Sequence, residues 1–207
     1  MTTLSIVTSA LERSWTAIRT VHPDVREAAM VVYLHPRGDR RGHYWQESWT
    51  TRDNGSLDEV HVSSHILSEG SESVFRTLLH EACHSIAIAR GVQDTSRQGR
   101  YHNGQFCSLA WELGLVTVAD KAIGCVTTAM TAKAQQRFVN PLAELSEALD
   151  LWQDAGAYQV FRKGKPGGTQ SVKLQCPVCG RIVRASRSCV DFGPITCGVC
   201  LGWFLEV

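Results

Sequence analysis

The chain has 207 residues, 43% of them apolar and 20% charged, with a formal net charge of +1. That is folded-protein composition, long enough for one ordinary domain with a core plus a small appendage, and it argues against a disordered chain. No run of about 18 apolar residues occurs, and the first residues lack the basic segment, apolar core and small-residue cleavage site of a secretory signal, so a cytoplasmic protein without membrane contact is expected.

Residues 3–21 place Leu4, Val7, Leu11, Trp15 and Ile18 at three- and four-residue steps, which predicts an amphipathic helix ending before His22-Pro23 and covering a sheet. Ala28 to His35 is apolar and β-branched and reads as a strand stopped by Pro36, followed by a charged turn at 37–42. His43 to Thr51 is the second strand, and Asn54-Gly55 turns the chain into a third. From Glu59 to Leu67 the pattern alternates, with Val60, Val62 and Ile66 on one face and His61, Ser63 and His65 on the other. This third strand is expected to be an edge on which an extended peptide can pair. His61 and His65 are about 13 Å apart along a strand, too far to share an ion.

Residues 71–91 predict the next helix, with Ser71 as cap, Glu72 in the first turn and Gly91 as stop. It contains Leu79-His80-Glu81-Ala82-Cys83-His84. Helical residues four apart differ by about 40° in direction, so His80 and His84 can offer nitrogens to one ion from one face, which Glu81 flanks. A carboxylate there can take a proton from water and hand it to a leaving amine, the arrangement of zinc peptidases. Cys83 points off this direction and reads as core. A hydrolytic zinc needs a third protein ligand and an open position. His102 is the only histidine C-terminal to His84 and is the candidate, with Glu112, deeper in the helix that opens at Asn103, as the carboxylate rival. Tyr101 is either an oxyanion donor or a packed aromatic.

Residues 115–130 are β-prone but interrupted and suggest no chemistry. Residues 131–152 predict a helix with a break near Pro141. The domain of residues 1–153 gives way to a basic, Gly-rich linker at 154–170. Residues 171–207 then hold Cys176-Pro177-Val178-Cys179 and, after 17 intervening residues, Cys197-Gly198-Val199-Cys200. Two Cys-x-x-Cys units at this separation predict a β zinc ribbon whose four thiolates close around a structural ion. With the eight cysteines expected in a reducing compartment, Cys107, Cys125 and Cys189 read as reduced thiols. Charge is uneven: residues 162–207 carry seven basic and two acidic side chains, +5 against −4 for residues 1–161. Arg162, Lys163, Lys165, Lys173, Arg181, Arg184 and Arg187 are therefore candidate contacts for a polyanion such as DNA, or a solvated basic surface. The expected class is α+β.

The run Leu78 to His84 followed by Gly99-Arg100-Tyr101-His102-Asn103-Gly104-Gln105-Phe106 resembles the SprT-like metallopeptidase family, whose pattern is His-Glu-x-x-His and then a His-Gly/Asn-x-x-Phe/Trp element opening the next helix. The stretch Asp94 to Asn103 is most similar to members from actinobacteria and their phages. The resemblance implies a zincin-like domain (leading helix, short three-stranded sheet, active-site helix, third-ligand helix) with a C-terminal ribbon. It further implies one catalytic zinc on His80, His84 and His102, Glu81 as general base, and kinship with Spartan, a protease of DNA-crosslinked proteins. Two other functions fit the residues: a non-catalytic, zinc-stabilised DNA-binding or adaptor protein, and a peptidase of the ImmA/IrrE type that cleaves one regulator.

Overall fold

In the computed structural model, which describes residues 3–33, 40–152 and 171–207, the first stretch is helix α1 (Thr3–Val21). Its Val7, Ala10, Leu11, Trp15 and Ile18 are buried, while Leu4 in the first turn stays exposed. The Trp15 indole also donates to the Arg26 carbonyl at 3.0 Å, so the strand that follows is tied to the helix by apolar and polar contacts together. The fold is α+β, and the described residues form two compact units, one before and one after residues 153–170. The expected linker at 154–170, with Arg162, Lys163 and Lys165, lies outside the described residues, as do residues 34–39, which include His35, Pro36 and most of the charged turn.

The first sheet holds β1 (Ala28–Tyr33), β2 (Gly42–Thr50) and β3 (Ser56–Ser63) in the order β1-β3-β2. β3 is parallel to β1 and antiparallel to β2. The expected edge is therefore corrected: β3 is central and paired on both sides, and among the described residues β1 and β2 are the edges. Burial on both faces follows, since Val60 and Val62 enter the core while His61, also buried, stacks on Tyr33 with ring centroids 4.0 Å apart. The strand is shorter than its alternation suggested, because Ser64–Glu69 winds into a 3-10 turn in which Ile66 and Leu67 are buried.

Helix α2 (Ser71–Ala89) touches both sheets of this unit. Gly70, not Ser71, occupies its N-cap position. The C-terminus closes on Gly91 at φ +63°, where Val92 N–H reaches the Ala87 carbonyl at 2.8 Å and Gly91 N–H the Ile88 carbonyl at 3.1 Å, a Schellman motif. The helix buries Val74, Phe75, Leu78, Leu79, Ala82, Cys83 and Ile86, and each large apolar side chain of this kind contributes about 1.5–3 kcal/mol.

A second sheet, order β4-β5-β7-β6, is built from β4 (Thr95–Ser96), β5 (Tyr101–His102), β6 (Leu115–Asp120) and β7 (Gly124–Met130), with α3 (Gly104–Glu112) between β5 and β6. The helical region after it is two helices, α4 (Ala132–Arg137) and α5 (Val139–Ala148). The break falls at Phe138, whose ring is buried against Phe75 at 4.9 Å. Pro141 then sits in the first turn of α5, where no amide hydrogen is needed. The second unit pairs β8 (Ser171–Gln175) with β9 (Ile182–Ser186) and with β10 (Leu205–Glu206), and carries a short helix α6 (Arg187–Phe192). None of the described helices is long and apolar enough to cross a membrane.

The expectation of reduced thiols at Cys107 and Cys125 is overturned: they form a disulfide joining α3 to β7, with Cα atoms 5.7 Å apart. Neither has the spacing of a Cys-x-x-Cys unit, and only the packing of α3 on β7 brings them together. The crosslinked residues are separated by 18 positions, so loop-closure entropy puts its contribution at about 3 kcal/mol. Denaturant unfolding of the Cys107→Ala/Cys125→Ala protein should show a loss of this size, and an unchanged midpoint would deny the crosslink.

Candidate metal centres

The helical period of α2 sets His80 and His84 on one side, and β5 brings His102 opposite them. The imidazole centroids lie 4.8–5.2 Å apart, and one ligand nitrogen from each ring falls within 4.8 Å of the others. His102 is positioned by main-chain bonds on both sides. Its own N–H reaches the Ile123 carbonyl at 2.9 Å, and Asn103 N–H reaches the Asp94 carbonyl at 2.9 Å. The Asn103 side chain caps α3 through Gln105 N–H at 2.8 Å and Phe106 N–H at 3.3 Å, a cap of about 1 kcal/mol that fixes where the third histidine leaves the strand. Gly124 is required here: at φ +83° it lies so close to β5 that an added Cβ would sit 2.0 Å from the His102 carbonyl oxygen.

Each ring has a partner behind it. His84 Nδ1 lies 2.5 Å from Asp94 Oδ2 and His80 Nδ1 lies 3.2 Å from Thr127 Oγ1, which leaves Nε2 of both for a ligand. His102 is hydrogen-bonded by the Cys125 backbone. Such partners select the tautomer and orientation of a metal-binding imidazole. Phe106, fully buried, closes the back of the cluster with its ring 4.8, 5.1 and 4.1 Å from His80, His84 and His102. Burial and the neighbouring imidazoles hold His80 well below the usual histidine range, and burial with His84 brings His102 down to about 4. Both rings are therefore neutral near pH 7, with a lone pair available. Burial opposes the charged form of His84 as well, but the Asp94 hydrogen bond and the Glu81 charge raise it.

Glu81 is buried beside this cluster, and desolvation pushes its carboxyl up to about 7 against the opposing pull of His84 and Arg40. The Tyr44 backbone amide on β2 donates to the Glu81 carboxylate. Gly42 makes that approach of β2 feasible, since an added Cβ would lie 2.8 Å from the His61 carbonyl oxygen and 2.9 Å from Glu81 Oε1. The cluster opens into a cavity of about 830 Å³ lined by the start of β2, α2, the Asp94–Arg100 turn, His102 and β7.

Several expected residues lie elsewhere. Tyr101 is not among the cavity-lining residues. It neighbours His102 on a strand and so points to the opposite face, with its ring 4.4 Å below the Arg97 guanidinium. Glu112 is engaged at the surface by Arg90, with bonds of 2.8 and 2.7 Å, and does not join the cluster. His61 Nε2 bonds the Tyr33 carbonyl at 2.9 Å and His65 Nδ1 the Ser63 hydroxyl at 2.8 Å. Asp94, Thr127, Tyr44 and Phe106 carry site roles that patterning alone did not assign. Asp94 had one usable signal, a carboxylate between two ligand-bearing elements, because metal-binding histidines require such a partner.

In the second unit the Cys176–Cys200, Cys179–Cys197 and Cys197–Cys200 sulfur pairs are each 3.7 Å apart. A tetrahedron with metal–sulfur arms of about 2.3 Å has edges of about 3.8 Å, so these cysteines have the spacing to hold one ion, zinc among them. Backbone amides of Cys200 and Val199 lower the Cys197 thiol to about 6, while hydrogen bonds with Cys179 and Cys176 push Cys200 up to about 12. Clustered thiolates cannot all ionise without a cation to offset them. Of the basic residues expected to meet a polyanion, Lys173, Arg181 and Arg184 are exposed, whereas Arg187 is committed to Glu206 through bonds of 2.9 and 2.6 Å.

No family model, curated protein or solved structure matches the chain. Function therefore rests on the chemistry of the two clusters. Asp94→Ala should weaken zinc binding at the histidine cluster by about 10–100-fold, read by competition with a chelating dye, and an unchanged affinity would deny Asp94 its role. Chelation of all zinc from the full chain should strip amide-exchange protection from residues 171–207 and leave α1 protected, because a segment this small has little core of its own. Persistent protection of the ribbon in metal-free protein would show that it folds on its apolar contacts alone.

Proposed function

We propose that the chain is a zinc-dependent endopeptidase of zincin type, and the observation that carries this reading is the convergence of His80, His84 and His102 with the Glu81 carboxylate in one cavity beside the open edge of β2. Zinc, when bound by the three imidazoles, supplies Lewis acidity that polarises a peptide carbonyl and makes water a better nucleophile. Glu81 takes the proton released by water at its carboxylate and delivers it to the leaving amide nitrogen, a role suited to a carboxyl raised by burial to about 7. Asp94 and Thr127 keep the His84 and His80 rings from turning while charge moves past them.

The outer edge of β2 offers main-chain groups to an extended peptide, and the Glu81 contact with Tyr44 sets the proton carrier against that strand. The engagement of Glu112 by Arg90 favours an open coordination position over a closed structural site. A role for Tyr101 at the oxyanion has no support in its orientation.

In this reading the second zinc, on Cys176, Cys179, Cys197 and Cys200, is structural, and its ribbon makes contact with DNA, so that proteins bound or crosslinked to DNA are the substrates. Lys173 and Arg184 support that contact, because they are exposed and directly opposed across the β8–β9 pair, where like charges repel unless an anion bridges them. Glu81→Gln should retain both zinc ions and lose about 10²–10⁴-fold in kcat/KM on a protein substrate. A metal-replete Glu81→Gln protein that cleaves as fast as the wild type would sink the proposal.

A further inference from the structure

The histidine cavity is rimmed by arginine. Arg40, Arg41, Arg76 and Arg100 all line it, from the approach to β2, from α2 and from the turn between β4 and β5. Among the described residues its lining carboxylates are Glu81 and Asp94, and each is already engaged, by Tyr44 N–H and by His84 Nδ1. Arg41 is held by Glu69 in a two-pronged ion pair of 2.9 and 2.7 Å and by the Ser73 hydroxyl at 2.6 Å. Arg76 donates to the Thr128 carbonyl and to the Ser73 hydroxyl. Arg40 and Arg100 are exposed and, among the described residues, have no carboxylate in ion-pair range.

The lining residues of α2 run from Arg76 to Ile88. At 1.5 Å per residue that is about 18 Å, room for roughly five residues of extended peptide. Arginine thus flanks the reacting centre on the strand side and on the hairpin that carries His102. An excess of cations in a concave, low-dielectric wall concentrates negative substrate groups, and guanidinium is the side chain best matched to carboxylate.

We infer that the cavity selects acidic peptide: aspartate or glutamate side chains within about two residues of the scissile bond are held by Arg40 and Arg100. This inference rests on the peptidase reading of the same cavity and names its substrate class.

The test uses the zinc-loaded full chain and quenched peptides that differ only near one scissile bond, with Asp/Glu, Asn/Gln or Lys there, each made with a free and an amidated C-terminus. The acidic peptide should be cleaved with kcat/KM roughly five- to tenfold above its amide isostere. The difference should lie in KM and shrink with added salt. The preference should fall to near parity in Arg40→Ala/Arg100→Ala and return in Arg40→Lys/Arg100→Lys, which restores charge. Equal cleavage of acidic and amide peptides overturns the inference and leaves the peptidase reading standing. A preference that follows the terminal carboxylate and not the side chains also overturns it. So does a single-stranded oligonucleotide that displaces the peptide and depends more strongly on the two arginines. Binding of the same peptides to Glu81→Gln protein, followed by fluorescence anisotropy, separates the two readings: acidic-selective binding without turnover by the wild type supports the charge preference and removes the peptidase.

Discussion

Withdrawing three half-buried imidazoles and a buried carboxylate from water in one cavity obliges the fold to provide a hydrogen-bond partner for each, because an unpaired polar group away from water costs about 1–3 kcal/mol. The four partners come from three places. Asp94 sits in the turn after α2, Thr127 and the Cys125 backbone on β7, and the Tyr44 amide on β2. Much of the irregularity in the first unit follows from this requirement. The two-residue strands β4 and β5 pair Thr95 with His102 and so set the neighbouring Asp94 beside it. β7 must run tight against β5, which is why Gly124 cannot carry a side chain. The Cys107–Cys125 disulfide crosslinks the two elements that hold His102, next to Phe106 on one side and to the hydrogen-bonding backbone on the other.

The two units solve the problem of stability differently. The first has a continuous apolar core running from Val7 in α1 through Leu78 and Ile86 in α2 to Leu145 in α5, so its cavity can be assembled on a scaffold that stands without the ion. The second buries little beyond Val172, Leu174, Cys176 and Cys197, while Val178, Phe192, Val199, Leu201 and Trp203 remain well exposed. With so little apolar area withdrawn from water, its order depends on the thiolate cluster. In the proposed reading, metal binding there contributes folding energy and metal binding at the histidines serves chemistry.

What could be read before the structure was local. The 3.6-residue spacing of α1, the histidines one turn apart on α2, the turn at Asn54-Gly55 and the paired Cys-x-x-Cys units each lie within a short window, where period and spacing carry the information. What could not be read was pairing between distant segments. Alternation showed that Glu59 to Ser63 is a strand but not that it lies between two others, since an inward face and a second covered face differ only in what arrives from elsewhere. Residues 115–130 looked inert for the same reason: their hairpin delivers Thr127 to His80, 47 residues earlier on α2, and the Cys125 backbone to His102 on β5. Tyr101 failed on parity. A single residue step on a strand reverses the face, and His102 takes the cavity side.

In the proposed peptidase reading, the centrality of β3 decides how a substrate approaches. β1 and β3 run parallel, so the chain must cross between them, and β2 is the strand that makes the return on the far side of β3. Its outer edge is therefore open among the described residues, and Gly42 lets that edge begin within reach of Glu81. Had β3 been the edge, as its alternation suggested, a peptide would have paired one strand spacing, about 4.8 Å, further along the sheet, with β2 no longer between it and the core strand. The order β1-β3-β2 brings the main-chain edge, the Glu81 carboxylate and the arginine rim into one cavity. In the proposed peptidase reading, specificity by backbone pairing and specificity by charge then act on the same short stretch of peptide.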